Sequence, residues 1–322
     1  MILGFHTKQL TERGTEVALF DYALAAKNLL GHEVRIFVPA QTERIIPAVR
    51  RRFEEHFDLV LYPTPKSIAC DALYVIKRGL PGRVTAHLPE LNHAFQDAWA
   101  PHGYRFAVVS DWVARTASRP VRLPGGLVVH IPRLRKPPVV PHIVELPDVE
   151  DDLRAELSIP NDAVVFGRHG GVGTFSIDLV KTAIRDALER RRDIWFVFLN
   201  TDVFHEHERV VHLPQTSERA EIRRFINTCD YMIHAKGSGE TFGLAVAEFA
   251  AAGVPVVTSL DTRDRAHFDL LPGALLLGYR SYDDVLDYLT GLGRRPAPVE
   301  SDIAARYSAE RVMTRFRDVF LS

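Results

Sequence analysis

The amino-acid sequence predicts an α/β protein of two domains, each with a parallel β-sheet covered by helices. Three observations support this prediction. Short apolar runs typical of buried strands alternate with segments whose apolar residues recur at helical spacing. A stretch rich in proline and cations, residues 131–142, interrupts this alternation. With 322 residues and 46% hydrophobic content, the chain is long enough to bury two cores.

Strand and helix patterns alternate through the first half of the chain. Residues 1–5 form an apolar run, a polar loop follows, and residues 15–30 carry the pattern of an apolar helix. Such alternation is typical of a parallel sheet, because parallel neighbours need crossover connections. Further strands are expected at residues 33–38, 59–62, 72–76, 84–86, 106–109 and 127–129.

A new alternation starts after the proline-rich linker. A polar helix is predicted over residues 148–157, and Ile177, Val180 and Ile184 begin the apolar face of another helix. The remaining predicted elements are strands at 163–166, 194–199 and 231–234, a glycine-rich loop at 167–173, and helices at 217–228 and 309–320.

These patterns predict where the domains begin and end. The first domain is expected at residues 1–142 and the second at 143–305, with residues 306–322 packing back toward the first. A ligand is expected in the cleft between the two domains, at the carboxyl ends of both sheets.

Charge and cysteine content exclude several classes of protein. Lys and Arg (40) nearly balance Asp and Glu (41), so no global field indicates a nucleic-acid partner. Cys70 and Cys229 are far apart and lie in no metal-binding or redox motif, so we expect free thiols in a reducing compartment. The sequence shows neither a signal-peptide core nor a membrane-spanning stretch. We expect a cytoplasmic protein whose membrane association is at most peripheral.

The stretch over residues 236–258 carries the strongest chemical signal. A small-residue loop ends in Glu240, Thr241-Phe242-Gly243 are predicted to open a helix, Glu248 lies two turns further on, and Gly253-Val-Pro255 ends it. A helix that starts after such a loop offers backbone N–H groups and partial positive charge to a phosphate. Two carboxylates therefore flank a predicted anion site.

This stretch resembles a known motif. Glu240-Thr-Phe-Gly243 with Glu248 and Gly253-Val-Pro-Val256 resembles the Glu-x7-Glu signature of the retaining GT-B glycosyltransferases, the family that contains sucrose synthase and many bacterial glycan-building enzymes. The resemblance implies a GT-B fold, in which two Rossmann-like domains face each other across a cleft. Other segments similar to the family, in the same order, are Arg13-Gly14-Thr-Glu-Val17, Val84-Thr-Ala-His87, residues 107–113, residues 152–160 and Val164-Val-Phe-Gly167-Arg168.

The resemblance also implies a role for each matching residue. Glu248 would accept hydrogen bonds from the donor ribose, Glu240 would contact the transferred sugar, and Arg168 would neutralise the leaving diphosphate. The base would lie near His212-Leu-Pro214, held mainly by backbone. The implied catalytic residues are Glu240, His87 and Arg168, and the implied donor-binding residues are Gly14, Arg168, Lys236, Thr241, Phe242, Gly243, Leu244, Glu248, His212, Leu213 and Pro214.

The implied reaction moves a sugar from a nucleotide-diphosphate sugar to a hydroxyl on a glycan, a lipid-linked molecule or a small molecule. The acceptor attacks the front face, so the anomeric configuration is retained, and the leaving phosphate takes the acceptor proton. The family needs no obligatory metal or other cofactor, and the protein supplies positioning and charge stabilisation. The oligomeric state, including a homodimer, is left open.

The chain departs from the family pattern in its cations and glycines. The family usually has a lysine five or six residues after the arginine, but residues 169–176 contain none, and Lys181 and Lys236 are the substitutes considered. The first loop has one glycine, Gly14, where two are common. The chain is also short for the family, so we expect a trimmed acceptor-binding half.

Other interpretations of these residues remain. A nucleotide-sugar epimerase or hydrolase of the same fold, or a non-catalytic two-domain binding protein, would also place a ligand between α/β halves. Gly171-Val-Gly173 lacks the third glycine of a dinucleotide fingerprint. His205-Glu-His-Glu208 lacks a third partner for a metal and is interpreted as surface. Arg50-Arg-Arg52 and residues 133–136 are interpreted as solvated cationic patches.

Overall fold

Two units make up the structure, a computed structural model that describes residues 1–122, 128–132, 135–295 and 297–322. The first unit contains Met1–Ile143 together with Tyr307–Ser322, and the second contains Val144–Arg306. The chain therefore leaves the first unit once and returns to it at its C-terminus.

The first unit is built on a six-stranded sheet in which every neighbouring pair is parallel. The spatial order β3-β2-β1-β4-β5-β6 is the arrangement of a doubly wound dinucleotide-binding sheet. The strands are β1 (Ile2–His6), β2 (Glu33–Pro39), β3 (Asp58–Tyr62), β4 (Ala72–Arg78), β5 (Glu90–Gln96) and β6 (Arg105–Val108), and the helices are α1 (Gly14–Asn28), α2 (Pro47–His56) and α3 (Asp111–Thr116).

An antiparallel pair of strands follows α3. It consists of β7 (Ser118–Arg122) and β8 (Val128–Pro132). The predicted strand at 127–129 therefore belongs to this pair, with Leu127 outside the described residues. Arg133 and residue 134 of the predicted cationic patch also lie outside them.

The second unit repeats the parallel architecture. Its sheet has the order β11-β10-β9-β12-β14-β16, so the strand order again reverses beside the first strand of the unit. The strands are β9 (Val164–Arg168), β10 (Ile194–Leu199), β11 (Val210–Leu213), β12 (Tyr231–His234), β14 (Val256–Ser259) and β16 (Leu276–Tyr279), and β13 (Gly239–Glu240) pairs with β15 (Asp264–Arg265) beside the sheet. The helices are α4 (Asp178–Arg190), α5 (Arg219–Thr228), α6 (Leu244–Ala251), α7 (Tyr282–Gly291) and α8 (Ile303–Arg306).

The C-terminal segment completes the first unit. Helix α9 (Ala309–Phe316) is followed by a π-helical turn, Arg317–Leu321. Phe316 lies 5.6 Å from the Tyr22 ring and 5.4 Å from the Tyr74 ring, between ring centroids. The segment thus contributes aromatic side chains to the core between α1 and the sheet.

Most predicted elements are confirmed to within four residues at each end, but the strand predicted at 84–86 is wrong. The backbone N–H groups of Val84 and Thr85 donate to the buried carboxylate of Glu90 instead of to a neighbouring strand. The strand in this region is β5, which starts at Glu90, immediately after Pro89.

The helix predicted over residues 148–157 is also wrong, because the segment forms only turns and irregular backbone. The N–H of Leu153 donates to Thr228 Oγ1 (2.9 Å), and the buried guanidinium of Arg154 donates to Asp230 (2.8 Å). These partners are distant in sequence, so the polar groups of this segment fasten it to the end of α5 and to the turn between α5 and β12.

Candidate functional site

The predicted donor residues of the second unit lie in strand ends, loops and the helix α6 at one edge of its sheet. Because all six strands are parallel, the loops after β9, β10, β12 and β14 emerge at the same carboxyl edge, where such sheets bind ligands. The loops after β9 and β12 are joined directly. The N–H of Ser176 donates to Ala235 O (2.8 Å), and the N–H of Gly237 donates to Ser176 Oγ (3.2 Å).

Two glycines shape the turn that leads into α6. Gly239 has φ +72°, and a Cβ there would lie 1.9 Å from the carbonyl oxygen of Asp264. Gly243 has φ +97°, and a Cβ there would lie 3.1 Å from the side chain of Glu240. Other residues rarely adopt these angles. The glycines let the chain turn sharply and bring Glu240 back beside the start of α6.

The helix begins later than the sequence indicates. Thr241 and Phe242 precede it, Gly243 is its N-cap without a side-chain cap, and Leu244 is its first residue. An α-helix leaves the N–H groups of its first turn without partners inside the helix. The N–H donors and the positive end of the helix dipole therefore lie at Leu244, and the sequence predicted them at Thr241.

Glu240 is held by two side chains. Lys236 Nζ lies 2.8 Å from Oε2, and His234 Nε2 lies 3.4 Å from Oε1. Burial alone would raise the pKa of this carboxyl, but the hydrogen bond from His234 and the charge of Lys236 lower it to about 2. Glu240 is therefore ionised at neutral pH.

Glu248 lies on α6 and is 3% exposed. Arg219, the first residue of α5, donates to its Oε1, and His169 Nε2 lies 3.0 Å from its Oε2. Burial would raise the pKa of this carboxyl, but His169 and Arg219 together hold it below its usual range. The ring of His169 stacks on Phe249, with 5.6 Å between centroids, which fixes its orientation.

Arg168 ends β9 and is 4% exposed. One terminal nitrogen donates to Asn200 O (3.3 Å) and Thr201 Oγ1, and the other to Gly171 O (3.0 Å) and Thr174 Oγ1. Burial lowers the pKa of the guanidinium to about 10, so it stays charged at neutral pH. In this structure the predicted phosphate-binding arginine braces the loops after β9 and β10.

The segment predicted to hold the base lies at the end of β11. His212 stacks on Phe198 with 5.1 Å between ring centroids, and burial lowers its pKa. Asn200 has φ +54°, and its side-chain amide bonds to both the N–H (2.9 Å) and the carbonyl (3.1 Å) of Thr216. This pairing fixes the loop that follows Leu213 and starts at Pro214 relative to β10.

The two lysines considered as substitutes for the family lysine lie in different places. Lys236 pairs with Glu240 inside the loop after β12. Lys181 lies in the first turn of α4 and pairs with Asp178 (3.0 Å). Of the two, Lys236 is the lysine that pairs with a predicted site residue in the described part of the chain.

Two predicted site residues belong to the first unit. Gly14 is the first residue of α1, beside the buried Glu16, whose pKa burial raises. His87 is exposed and lies in the loop before β5, where its ring bonds to Thr85 Oγ1 and to Ile68 O (3.2 Å).

Sequence reasoning missed three side chains that contact the paired acids. His169 and Arg219 hold Glu248, and His234 holds Glu240. His234 had a signal, because it is a polar residue at the end of an apolar strand. His169 directly follows Arg168, but its position in a glycine-rich loop gives no indication that it contacts Glu248. Nothing in the local sequence marks Arg219.

Comparisons with known proteins give matches among solved structures. No protein-family profile matches the sequence, and no curated protein sequence is detectably similar. HepE of Anabaena, solved in complex with UDP-glucose, superposes with a TM-score of 0.68 at 16% identity, over 99% of this chain and 98% of that one. The chain has the GT-B fold.

Two further structures extend this comparison. Sucrose-phosphate synthase of Thermosynechococcus elongatus gives a TM-score of 0.61 at 11% identity, over 99% of this chain and 95% of that one. WaaG, a glycosyltransferase involved in lipopolysaccharide biosynthesis, gives a TM-score of 0.59 at 12% identity, over 99% of this chain and 96% of that one. At these identities the likeness establishes the fold, and the site residues must be judged from their own geometry.

The described part of the chain shows neither a cluster of metal ligands nor a membrane-spanning helix. Within it, no three His, Cys, Asp or Glu side chains are grouped so that they could hold a metal ion. The helices built from those same residues include none that is both long and apolar enough to cross a membrane.

Proposed function

We propose that the protein is a retaining glycosyltransferase that transfers a sugar from a nucleoside diphosphate sugar to a hydroxyl acceptor. One observation carries the proposal: two ionised carboxylates, Glu240 and Glu248, flank the glycine turn at the start of α6. This combination suits a ligand that has hydroxyl groups on both sides of a diphosphate. Carboxylates accept hydrogen bonds from hydroxyls, and a helix N-terminus attracts phosphate.

The geometry suggests how the donor is bound. The N-terminus of α6, with Phe242, Gly243 and Leu244, would face the diphosphate. Glu248 would accept hydrogen bonds from the ribose, and Glu240 would accept them from the transferred sugar. Each carboxylate oxygen has more than one lone pair, so hydroxyls can be accepted beside the existing protein partners.

Charge stabilisation would come from Lys236 and Arg168. As the bond between the anomeric carbon and the diphosphate oxygen breaks, negative charge grows on the leaving group. The acceptor oxygen forms the new bond on the same face, and its proton passes to a diphosphate oxygen. A buried, preorganised guanidinium stabilises such charge more effectively than one in water. Direct contact would require Arg168 to exchange the hydroxyl of Thr174 or Thr201 for a phosphate oxygen.

The neighbouring structures support the choice of probe. HepE was solved with UDP and with UDP-glucose. We therefore take UDP-glucose as the first donor to test on this chain, followed by the ADP and GDP sugars. Glycan, lipid-linked and small-molecule acceptors all fit the proposal.

Binding and turnover test the proposal in two steps. A true donor raises the melting temperature by mass action, so UDP, ADP, GDP and their sugars are screened by thermal shift. Turnover is then measured with an acceptor panel, and NMR of the product reports the anomeric configuration. Glu248→Ala and Arg168→Ala should abolish transfer. Near-normal turnover in both variants would overturn the assignment.

Product analysis with and without an acceptor separates the remaining activities. A transferase forms a glycoside only when acceptor is present. A hydrolase releases free sugar without acceptor, and an epimerase returns a different sugar or nucleotide sugar. A protein that binds nucleotide sugars tightly but changes none of them would be a binding module.

A further inference from the structure

Three buried polar side chains lie behind Glu240: His234 at the end of β12, Thr258 in β14 and His267 in the 3₁₀ turn that follows β15. His234 Nε2 faces Glu240 Oε1 at 3.4 Å, and His234 Nδ1 lies 2.8 Å from Thr258 Oγ1. On the other side of the hydroxyl, His267 Nε2 lies 3.4 Å from Thr258 Oγ1. Thr258 and His267 are 0% exposed. The contacts form a continuous row from a fully buried imidazole to the predicted sugar-binding carboxylate.

The proton on each group of this row follows from its partner. Glu240 is ionised, so it can only accept, and His234 must carry a proton on Nε2. Where Nδ1 of His234 accepts, the hydroxyl of Thr258 must donate. That hydroxyl has a single proton, so Thr258 Oγ1 must accept from His267 Nε2.

The far end of the row supports this direction. Among the described residues, His267 Nδ1 is buried and has no hydrogen-bond partner. A buried N–H without a partner is rarer in proteins than a buried acceptor without one. With the proton on Nε2, the atom left without a partner is a lone pair. Burial also lowers the pKa of His267 to about 3, which keeps the ring neutral.

The opposite direction fails the same test. If Nδ1 of His234 donated to Thr258, the hydroxyl would donate to His267 Nε2, and His267 would carry its proton on Nδ1. That N–H would be buried without a partner, at a cost comparable to a lost hydrogen bond. Only one direction leaves every donor of the row satisfied.

We propose that His267, Thr258 and His234 form a directional hydrogen-bond chain that positions Glu240 for the transferred sugar, an inference that rests on the proposed function. These three are positioning residues, since they act through Glu240 and contact no reacting atom. The chain fixes Oε1 from behind while Lys236 fixes Oε2. Glu240 is then held as an acceptor in one orientation, which favours one arrangement of sugar hydroxyls over others.

The test removes the central hydroxyl with Thr258→Val, which keeps the side-chain shape. UDP carries no transferred sugar that could contact Glu240, so the affinity of this variant for UDP should stay within about twofold of the wild-type value. The affinity or turnover of UDP-glucose should fall about tenfold, as expected for a lost hydrogen bond that orients a charged group. In the Glu240→Gln background the same substitution should cause no further loss. An unchanged ratio of UDP-glucose to UDP affinity would overturn the proposal.

Thr228→Val is the matched control for stability. Thr228 is also a fully buried threonine of the second unit, and its hydroxyl bonds to Arg224 O (2.8 Å) and to the N–H of Leu153 (2.9 Å). Its loss should lower the melting temperature without changing the ratio of the two affinities. Equal effects of the two valine variants on that ratio would show a structural role only.

A second measurement needs no ligand. NMR of ¹⁵N-labelled histidine rings should show the Nε2–H tautomer for both His234 and His267, and Thr258→Val should change the His234 signals. A proton on Nδ1 of His267 would refute the direction of the chain. If the wild type binds no nucleotide, the proposed function fails, and the tautomers still decide whether the chain exists.

Discussion

The histidines of the first unit should make its stability fall steeply in mild acid. Burial lowers the pKa of His6 and His93 to about 4 and that of His142 to about 3, from an ordinary value of 6.5. Lys8 and Lys77 lower the pKa of His6 further. All three rings are therefore neutral in the folded state at pH values where an unfolded chain would protonate them.

The sign and size of the effect follow from proton linkage. Because the folded-state pKa is below the unfolded one, the unfolded chain binds more protons between pH 6.5 and about 4, and stability is lost as the pH falls through this window. Each histidine contributes up to about 1.4 kcal/mol per pH unit. Three together give about 4 kcal/mol per unit near pH 5, so about two units of acidification would remove a typical domain stability.

Urea denaturation followed by circular dichroism at pH 7.5, 6.5, 5.5 and 4.5 measures this slope. Glu240 and Glu248, whose pKa values are lowered, lose their contributions only below about pH 4.5, so this range reports mainly histidines. The second unit adds a similar contribution through His267, whose pKa burial lowers to about 3. His142→Gln removes one of these four groups and should reduce the slope for the whole chain by about a quarter. A free energy of unfolding that stays constant from pH 7.5 to 4.5 would refute the reasoning.

Three further predictions concern the second unit. Gly239→Ala should destabilise the protein by at least ~2 kcal/mol in urea titrations, because its φ of +72° and the nearby carbonyl of Asp264 leave no room for a Cβ. Gly291→Ala is the control, since a Cβ there meets open space, and an equal loss of stability in both variants would contradict the predicted strain at Gly239. Glu248→Ala should weaken UDP binding at least tenfold in calorimetry but 2′-deoxy-UDP much less; equal losses would argue against ribose contact. Arg168→Lys keeps the charge but not the four loop bonds, so donor turnover should still fall at least tenfold; full turnover would show that charge alone suffices.

The parts of the fold that could be predicted are those whose local sequence is uniformly apolar. Residues 194–199 are a continuous apolar run, residues 231–233 are apolar and are followed by His234, and both segments are strands with the predicted bounds. Strand β5 was missed because it carries Glu90, Asn92 and His93 among its residues, although all three are buried. Glu90 accepts from the loop before the strand, Asn92 Nδ2 donates to His102 O and His93 Nδ1 bonds to Tyr74, and no local pattern shows these contacts.

The same limit applies to the site. The spacing of Glu240 and Glu248 could be recognised because both lie within one short loop and helix. The partners of these acids come from elsewhere: Arg219 from α5 and His169 from the end of β9. Contacts between residues far apart in the chain depend on the strand order, which the sequence does not state.

The pairing of both acids with cations has a consequence for the proposed donor site. Among five side chains, Glu240 and Glu248 carry two negative charges, and Lys236, Arg219 and Arg168 carry three positive ones. These five side chains together therefore carry a net charge of only about one positive. A diphosphate that binds here would interact with cations that already pair with Glu240 and Glu248. Weakening those internal ion pairs would offset part of the favourable electrostatic free energy of binding. The affinity for a nucleoside diphosphate should consequently respond only weakly to ionic strength.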